Sequence, residues 1–336
     1  MVNLSPIEYL GKHASYLNET FGTSHSAMSR IRRLAHAAEV LPASGIRVVM
    51  EAAARMEAHG ARVTHLEVGQ PDFAAPATAI AAAKRALDAG NTRYIANAGM
   101  RSLREAVAAH YAVRYPSVRH DAEQIVCTQG SMFAYASALL STIEPDDEVL
   151  LPDPGYPNYA QTVAMLRAKP VYYPLHLADG WQPRLAELEA LVTPKTKLLL
   201  LNSPSNPTGA VFPLPMLEQL WGFCKQHDLF CLADEVYADL VYDESSASAP
   251  PMLQCPGAAE DDRLMVVSGV SKSHAMTGFR TGWLRGSREL VAVVTKLQEP
   301  FISCCVPFAQ VCTRVAIIVV TDAPLRRCWH PIADVA

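Results

Sequence analysis

Short apolar runs, each closed by turn residues and set apart by helix-length segments, constrain this chain more than any other feature. Residues 124–128, 148–151, 171–173, 197–201, 229–233 and 264–267 read as strands of the fully buried kind. Between them apolar residues recur at helical spacing, as Ile46, Val49, Met50, Ala53 and Met56 do over 44–59, where Ser44 suits an N-cap and Gly60 a stop. Further helices are expected at 75–88, 133–141, ahead of Ala168, and at 185–191, 216–227 and 289–297. Such alternation predicts an α/β fold with a mostly parallel sheet. A chain of 336 residues, 50% hydrophobic and 18% charged, has room for one large α/β domain and a smaller one.

Several local features add to this frame. Residues 63–68 alternate as a strand would and end at Gly69, which permits a close backbone approach. Ser102 and Glu105 have the spacing of a capping box. Residues 243–259, rich in Ser, Ala and Pro, predict a mobile insertion, and 282–285 a further strand. Residues 1–27 lack periodicity and are expected to be a loose arm or to precede the true start at Met28.

A net charge of −4 without a long basic run points away from nucleic acid and anionic membranes. The longest apolar run near the end, 315–320, is too short to span a bilayer, and the N-terminus lacks the apolar core of a secretory signal. The eight cysteines are scattered, with no CxxC pair and no zinc-type spacing, as expected of buried thiols in a reducing compartment such as the cytoplasm.

The chemistry-bearing residues sit where the strands end. Lys272 follows the run 264–267, with Ser271 before it and Arg280 eight positions on. A lysine at a sheet edge is partly desolvated, which favours the neutral, nucleophilic amine, and the arginine fork suits a phosphate. Alone, the pair reads equally as a solvated loop lysine and a surface charge. Gly130, Ser131 and Met132 join a strand to a helix, a junction whose free N–H groups and dipole favour an anion. Tyr156 is fixed between Pro154, Gly155 and Pro157 and offers a held ring for stacking. Asn206, ahead of Pro207, projects an amide from a strand end. Asp234 and Glu235 after four apolar residues also describe the magnesium strand of P-loop ATPases, but that reading needs GxxxxGK[ST], which the chain lacks.

Together these motifs, over about 44–310, resemble the fold-type I pyridoxal 5'-phosphate enzymes of the class I and II aminotransferase family, which are aspartate aminotransferase-like. The resemblance implies a three-layer α/β/α large domain over 61–290. Residues 1–60 would then form an arm with part of an incomplete small α+β domain, and 291–336 an interdomain helix with an atypical tail. By the same resemblance Lys272 holds the cofactor as a Schiff base and, once freed, moves a proton as general acid and base. Asp234 faces the pyridine nitrogen, Tyr237 and Asn206 reach the phenolic oxygen, and Tyr156 lies on the ring. Gly130, Ser131, Met132, Ser271 and Arg280 hold the phosphate, although Gly269 stands where several members carry a further phosphate-contacting serine. Gly69 and Asn206 are implied on the substrate side. Tyr94 would reach the cofactor of a neighbouring subunit, which implies a homodimer.

The implied activity is amino-group transfer between an L-amino acid and a 2-oxo acid in ping-pong order. The same constellation supports β-elimination by a carbon–sulfur lyase. Residues 311–336 do not resemble the family's C-terminal part, which supplies the arginine for the substrate carboxylate, and Arg314, Arg326 and Arg327 are not in its context. The expectation is a coding sequence truncated or frame-shifted after about Gln310, which leaves an inactive cofactor-binding remnant as a third reading.

Overall fold

A computed structural model of the chain describes Leu41 and residues 45–242 and 248–322, with side chains to residue 319. Its helices are α1 (Gly45–Ala58), α2 (Ala77–Asp88), α3 (Arg101–Arg114), α4 (Ser131–Thr142), α5 (Asn158–Met165), α6 (Leu185–Leu191), α7 (Leu214–Gln226), α8 (Arg288–Ile302) and α9 (Pro307–Asp322). The strands are β1 (Ile125–Gln129), β2 (Glu148–Asp153), β3 (Lys169–Pro174), β4 (Thr196–Asn202), β5 (Phe230–Asp234), β6 (Leu264–Gly269) and β7 (Thr281–Arg285). Among the described residues no helix is long and apolar enough to cross a membrane.

One seven-stranded sheet carries the order β1-β7-β6-β5-β4-β2-β3. Among the described strands only β7 runs antiparallel to its neighbours, so the expected α/β class with a mostly parallel sheet is what the chain forms. The apolar runs divide by strand periodicity. Leu199, Leu201, Cys231, Ala233, Leu264 and Val266 face Leu217, Leu220 and Trp221 of α7. Leu198, Leu200, Leu232, Met265 and Val267 face Ala134, Tyr135 and Ala138 of α4 and Leu290 and Val294 of α8. Two apolar faces oblige helices on both sides, hence three layers.

A third cluster packs Ala79, Ala82, Leu103 and Val107 of α2 and α3 against Trp283, Cys312, Ala316 and Ile317. The helical path does not stop at Gln310. After α8 the chain turns at Ser303, whose φ is 57°, and α9 continues with Cys312 and Ala316 fully buried.

Three local expectations are corrected. Residues 63–68 form no strand: an extended segment needs a ladder partner, and among the described residues it has none. There His65 instead bonds Glu67 and Glu57 at 2.7 and 2.9 Å, and Leu66 is 89% exposed. Ser102 caps nothing, because α3 begins at Arg101 and Met100 is its N-cap; the Met100 N–H donates instead to Gln310 Oε1 at 2.7 Å. The stretch expected to be mobile is well packed over 248–259, with Ala249, Met252, Leu253 and Cys255 all at 2% exposure or less. Its apolar side chains close one end of the α7 face of the sheet. Ser44, the arm at 1–27, Arg326 and Arg327 lie outside the described residues.

A candidate active site at the strand ends

Because β7 alone is reversed, β1, β2, β4, β5 and β6 all finish at the same edge. Register fixes their level: Asn202 lies opposite Asp234, Asp234 opposite Val267, and Gly282 opposite both Gly269 and Thr128. The loops that leave these ends carry Gly130, Tyr156, Asn206, Tyr237 and Lys272. In open α/β sheets ligands collect in the crevice outside such ends.

The Lys272 side chain is half-buried, its Nζ 2.5 Å from the Gly69 carbonyl oxygen and 5.9 Å from the centre of the Tyr237 ring. Burial, helped by the Arg280 charge, holds its pKa below the ordinary lysine value, toward the neutral amine. The loop bends sharply to do this, since Ala275 and Arg280 both take left-handed backbone at φ 51° and 49°. Asp234 is buried at the end of β5, where Tyr159 Oη donates to its Oδ2 at 2.6 Å and the Val236 N–H to its Oδ1 at 3.1 Å. Both donors are neutral, and burial raises the acid.

Asn206 Nδ2 donates to Tyr237 Oη at 3.4 Å, and burial pushes the Tyr237 phenol up to about 12. Asn206 is in turn held by its own N–H, which donates to Asn202 Oδ1 at 2.7 Å. Asn202 also donates to the Asp234 carbonyl at 3.1 Å, so one amide sets both residues. The Tyr156 ring meets Tyr159 edge-on at 5.4 Å.

At the start of α4 the first N–H groups have no acceptor within the helix. Gly130 takes φ 76°, and a Cβ there would stand 2.5 Å from Arg280 Nη2; a Cβ on Gly282 would strike the backbone of Gly130 and Ser131. Glycine at both positions lets the guanidinium and the helix start share one cradle. Ser271 is buried beside Lys272, and Met132 packs with the α4 core.

The residues singled out in the sequence therefore meet at one edge, with one exception. Tyr94 is 87% exposed and joins none of these contacts. Gly69 meets the site through its carbonyl to Lys272, and a Cβ there would find open space. Sequence reasoning missed Tyr159 and Asn202. The first could have been found from its i+3 spacing after Tyr156 on a helix start, the second from its place at the strand terminus four residues before Asn206.

These groups fit pyridoxal phosphate. A buried carboxylate with only neutral donors suits a cationic ring nitrogen, the helix start with Arg280 suits a phosphate, and a half-desolvated lysine between them suits an aldehyde.

Comparison with known proteins agrees. The family model "aminotransferase class I and II" matches residues 61–323, beyond Gln310. Arginine–pyruvate transaminase AruH of Pseudomonas aeruginosa is 38% identical over 246 residues, covering 73% of this chain and 61% of that protein. An aspartate aminotransferase of Sulfurisphaera tokodaii is 34% identical over 253 residues, covering 75% of this chain and 62% of the relative. The chain thus spans less than two thirds of the length of these two curated relatives. Among solved structures, the aspartate aminotransferase of Thermotoga maritima superposes with a TM-score of 0.81 at 30% identity, over 87% of this chain and 76% of that one.

Proposed function

Since the chain belongs to the aminotransferase class I and II family, whose members use pyridoxal phosphate, we propose that it moves an amino group between an L-amino acid and a 2-oxo acid in two half-reactions. The observation that carries this reading is the meeting of a half-buried Lys272 and a buried Asp234 around Tyr237. When bound, pyridoxal phosphate supplies an aldehyde for covalent attachment of an amine and a ring that withdraws electrons from the substrate Cα.

In this reading Lys272 Nζ is the attaching amine and then, once released, the base and acid that moves a proton at the substrate Cα. Its lowered pKa supports both roles, because the neutral amine is the species that attacks and accepts a proton. Asp234 holds the ring nitrogen charged, and Tyr159 keeps the carboxylate oriented toward it. Asn206 and Tyr237 orient the ring by its phenolic oxygen, while Tyr156 covers one face. Gly130, Ser131, Met132, Ser271 and Arg280 bind the phosphate, and Gly69 with Asn206 the substrate side. The exposed Tyr94 supports a homodimer in which that ring serves the neighbouring subunit.

The test is to load the protein with pyridoxal phosphate, mix it with a panel of amino acids, and follow the visible cofactor band together with release of the matching oxo acid. Loss of the band with oxo-acid formation is expected, and Lys272→Ala should abolish both. Turnover retained in that variant refutes the assignment. Pyruvate and ammonia released from a cysteine conjugate identify a lyase instead.

A further inference from the structure

Behind the Lys272 loop lies a second group of polar residues that the proposed reaction does not use. A cavity of about 20 Å³ is lined there by Arg114, Tyr115, Glu235, Asp239, Ser273 and His274, among others. His274, two residues after Lys272, is 4% exposed. Its Nδ1 lies 2.7 Å from Ser273 Oγ, while its Nε2 is buried without a hydrogen-bond partner. With the Ser273 hydroxyl donating to Nδ1, a neutral ring carries its proton on Nε2 and turns a donor inward. Burial favours the neutral ring, pushing it down to about 4.

The other groups on this cavity are mostly engaged already. Arg114 pairs with Asp239 and also bonds Tyr115. Glu235, which follows Asp234 directly, uses Oε1 to accept the Met252 N–H at 2.9 Å, which leaves its second oxygen for a further hydrogen bond. A polar space of this volume with two or more free partners is the setting in which a buried water becomes part of a structure.

We propose that this cavity holds one water molecule bridging His274 Nε2 to the Glu235 carboxyl group, and that His274 acts through it as a positioning residue for Lys272. The second part rests on the reading of Lys272 as the catalytic amine. The lysine loop carries two left-handed non-glycine residues, and backbone of that kind persists only where its surroundings fix it. The bridge ties that loop to the residue following Asp234, and so holds constant the spacing between the amine and the ring acid.

Crystals of the pyridoxal phosphate-loaded protein and of its His274→Phe and His274→Gln variants provide the test. Wild type is expected to show one ordered water within hydrogen-bond reach of both His274 Nε2 and Glu235. The Phe variant should lose it, shift the pH midpoint of the visible cofactor band, and lower kcat roughly tenfold with KM unchanged, as displaced positioning groups do. The Gln variant, whose amide can donate into the same space, should recover most of both. A dry cavity in wild type, or a Phe variant with unchanged midpoint and kcat, overturns the proposal. Should the Phe variant fail to fold, the wild-type density and the Gln variant decide: water with a near-native midpoint supports the bridge, and a dry site ends it. If wild type takes up no cofactor, the functional reading fails by itself and takes the positioning role with it, while density in cofactor-free crystals still decides whether the water is there.

Discussion

Tyr159 Oη donates to Asp234 Oδ2 at 2.6 Å from the first turn of α5, three residues after Tyr156, so one short stretch of chain carries both the Tyr156 ring and the partner of the buried acid. This bond lowers the pKa of Asp234 against the opposing effect of burial. Tyr159→Phe removes it, and Asp234 should then keep its proton to higher pH and grip a ring nitrogen less firmly. Loss of a hydrogen bond to a charged group is worth about 1.5–3 kcal/mol. Pyridoxal phosphate affinity, read by absorbance titration of the cofactor-free protein, should fall about tenfold or more, and the acid limb of the pH–rate profile should move up. An unchanged acid limb would mean that Tyr159 serves packing alone.

The pieces of this fold that were legible in the sequence are those set by local composition. The runs at 197–201 and 264–267 could be little other than strands buried on both faces, and Lys272, Asp234 and Asn206 were legible because each stands at or just past the end of such an apolar run. What could not be read depends on distant partners. The alternation at 63–68 satisfies the strand pattern, but a ladder needs a neighbour that no local pattern supplies. Ser102 has the spacing of a cap, yet Gln310, far along the chain, takes the cap role. The Ser-, Ala- and Pro-rich segment after residue 247 looks mobile by composition, but Met252 and Leu253 find the α7 side of the sheet. Tyr159 was passed over because its partner, Asp234, lies two strands away in the sheet order.

Gly130 joins β1 to α4 at φ 76°, where a side chain would be strained and would also press on Arg280. Gly130→Ala should cost about 1–3 kcal/mol in backbone strain and displace the guanidinium from the helix start. Binding of pyridoxal phosphate and of inorganic phosphate should weaken together, while binding of the phosphate-free aldehyde pyridoxal changes little. Equal loss for pyridoxal and its phosphate would place the phosphate elsewhere.

Gln310, fully buried on α9, accepts the Met100 N–H at 2.7 Å and donates to the Cys305 carbonyl at 3.4 Å. Gln310→Leu keeps the bulk but leaves a helix-start N–H buried without an acceptor, at about 1–3 kcal/mol. The melting temperature should drop by several degrees, and the amides at the start of α3 should exchange faster with solvent. Unaltered exchange there would show that solvent replaces the glutamine at no penalty.

Glu235 is buried directly after Asp234, and burial, reinforced by the Asp234 charge, raises its pKa from 4.5 to about 7 despite Arg285 nearby. The unfolded chain releases this proton near the ordinary carboxylate value, whereas the folded protein keeps it until about 7. Folding therefore takes up a proton between those limits. The contribution of this residue to stability is greatest in acid and is lost as pH rises through 7. Glu235→Gln cannot ionise and still offers an oxygen to the Met252 N–H. The two proteins should melt together near pH 4, and by pH 8 the variant should be ahead by about 3 kcal/mol, equivalent to several degrees in a chain of this size. Melting curves that stay parallel across that interval would mean that Glu235 ionises as easily inside the protein as in water, and that a nearby cation, with Arg285 the obvious candidate, compensates its burial in full.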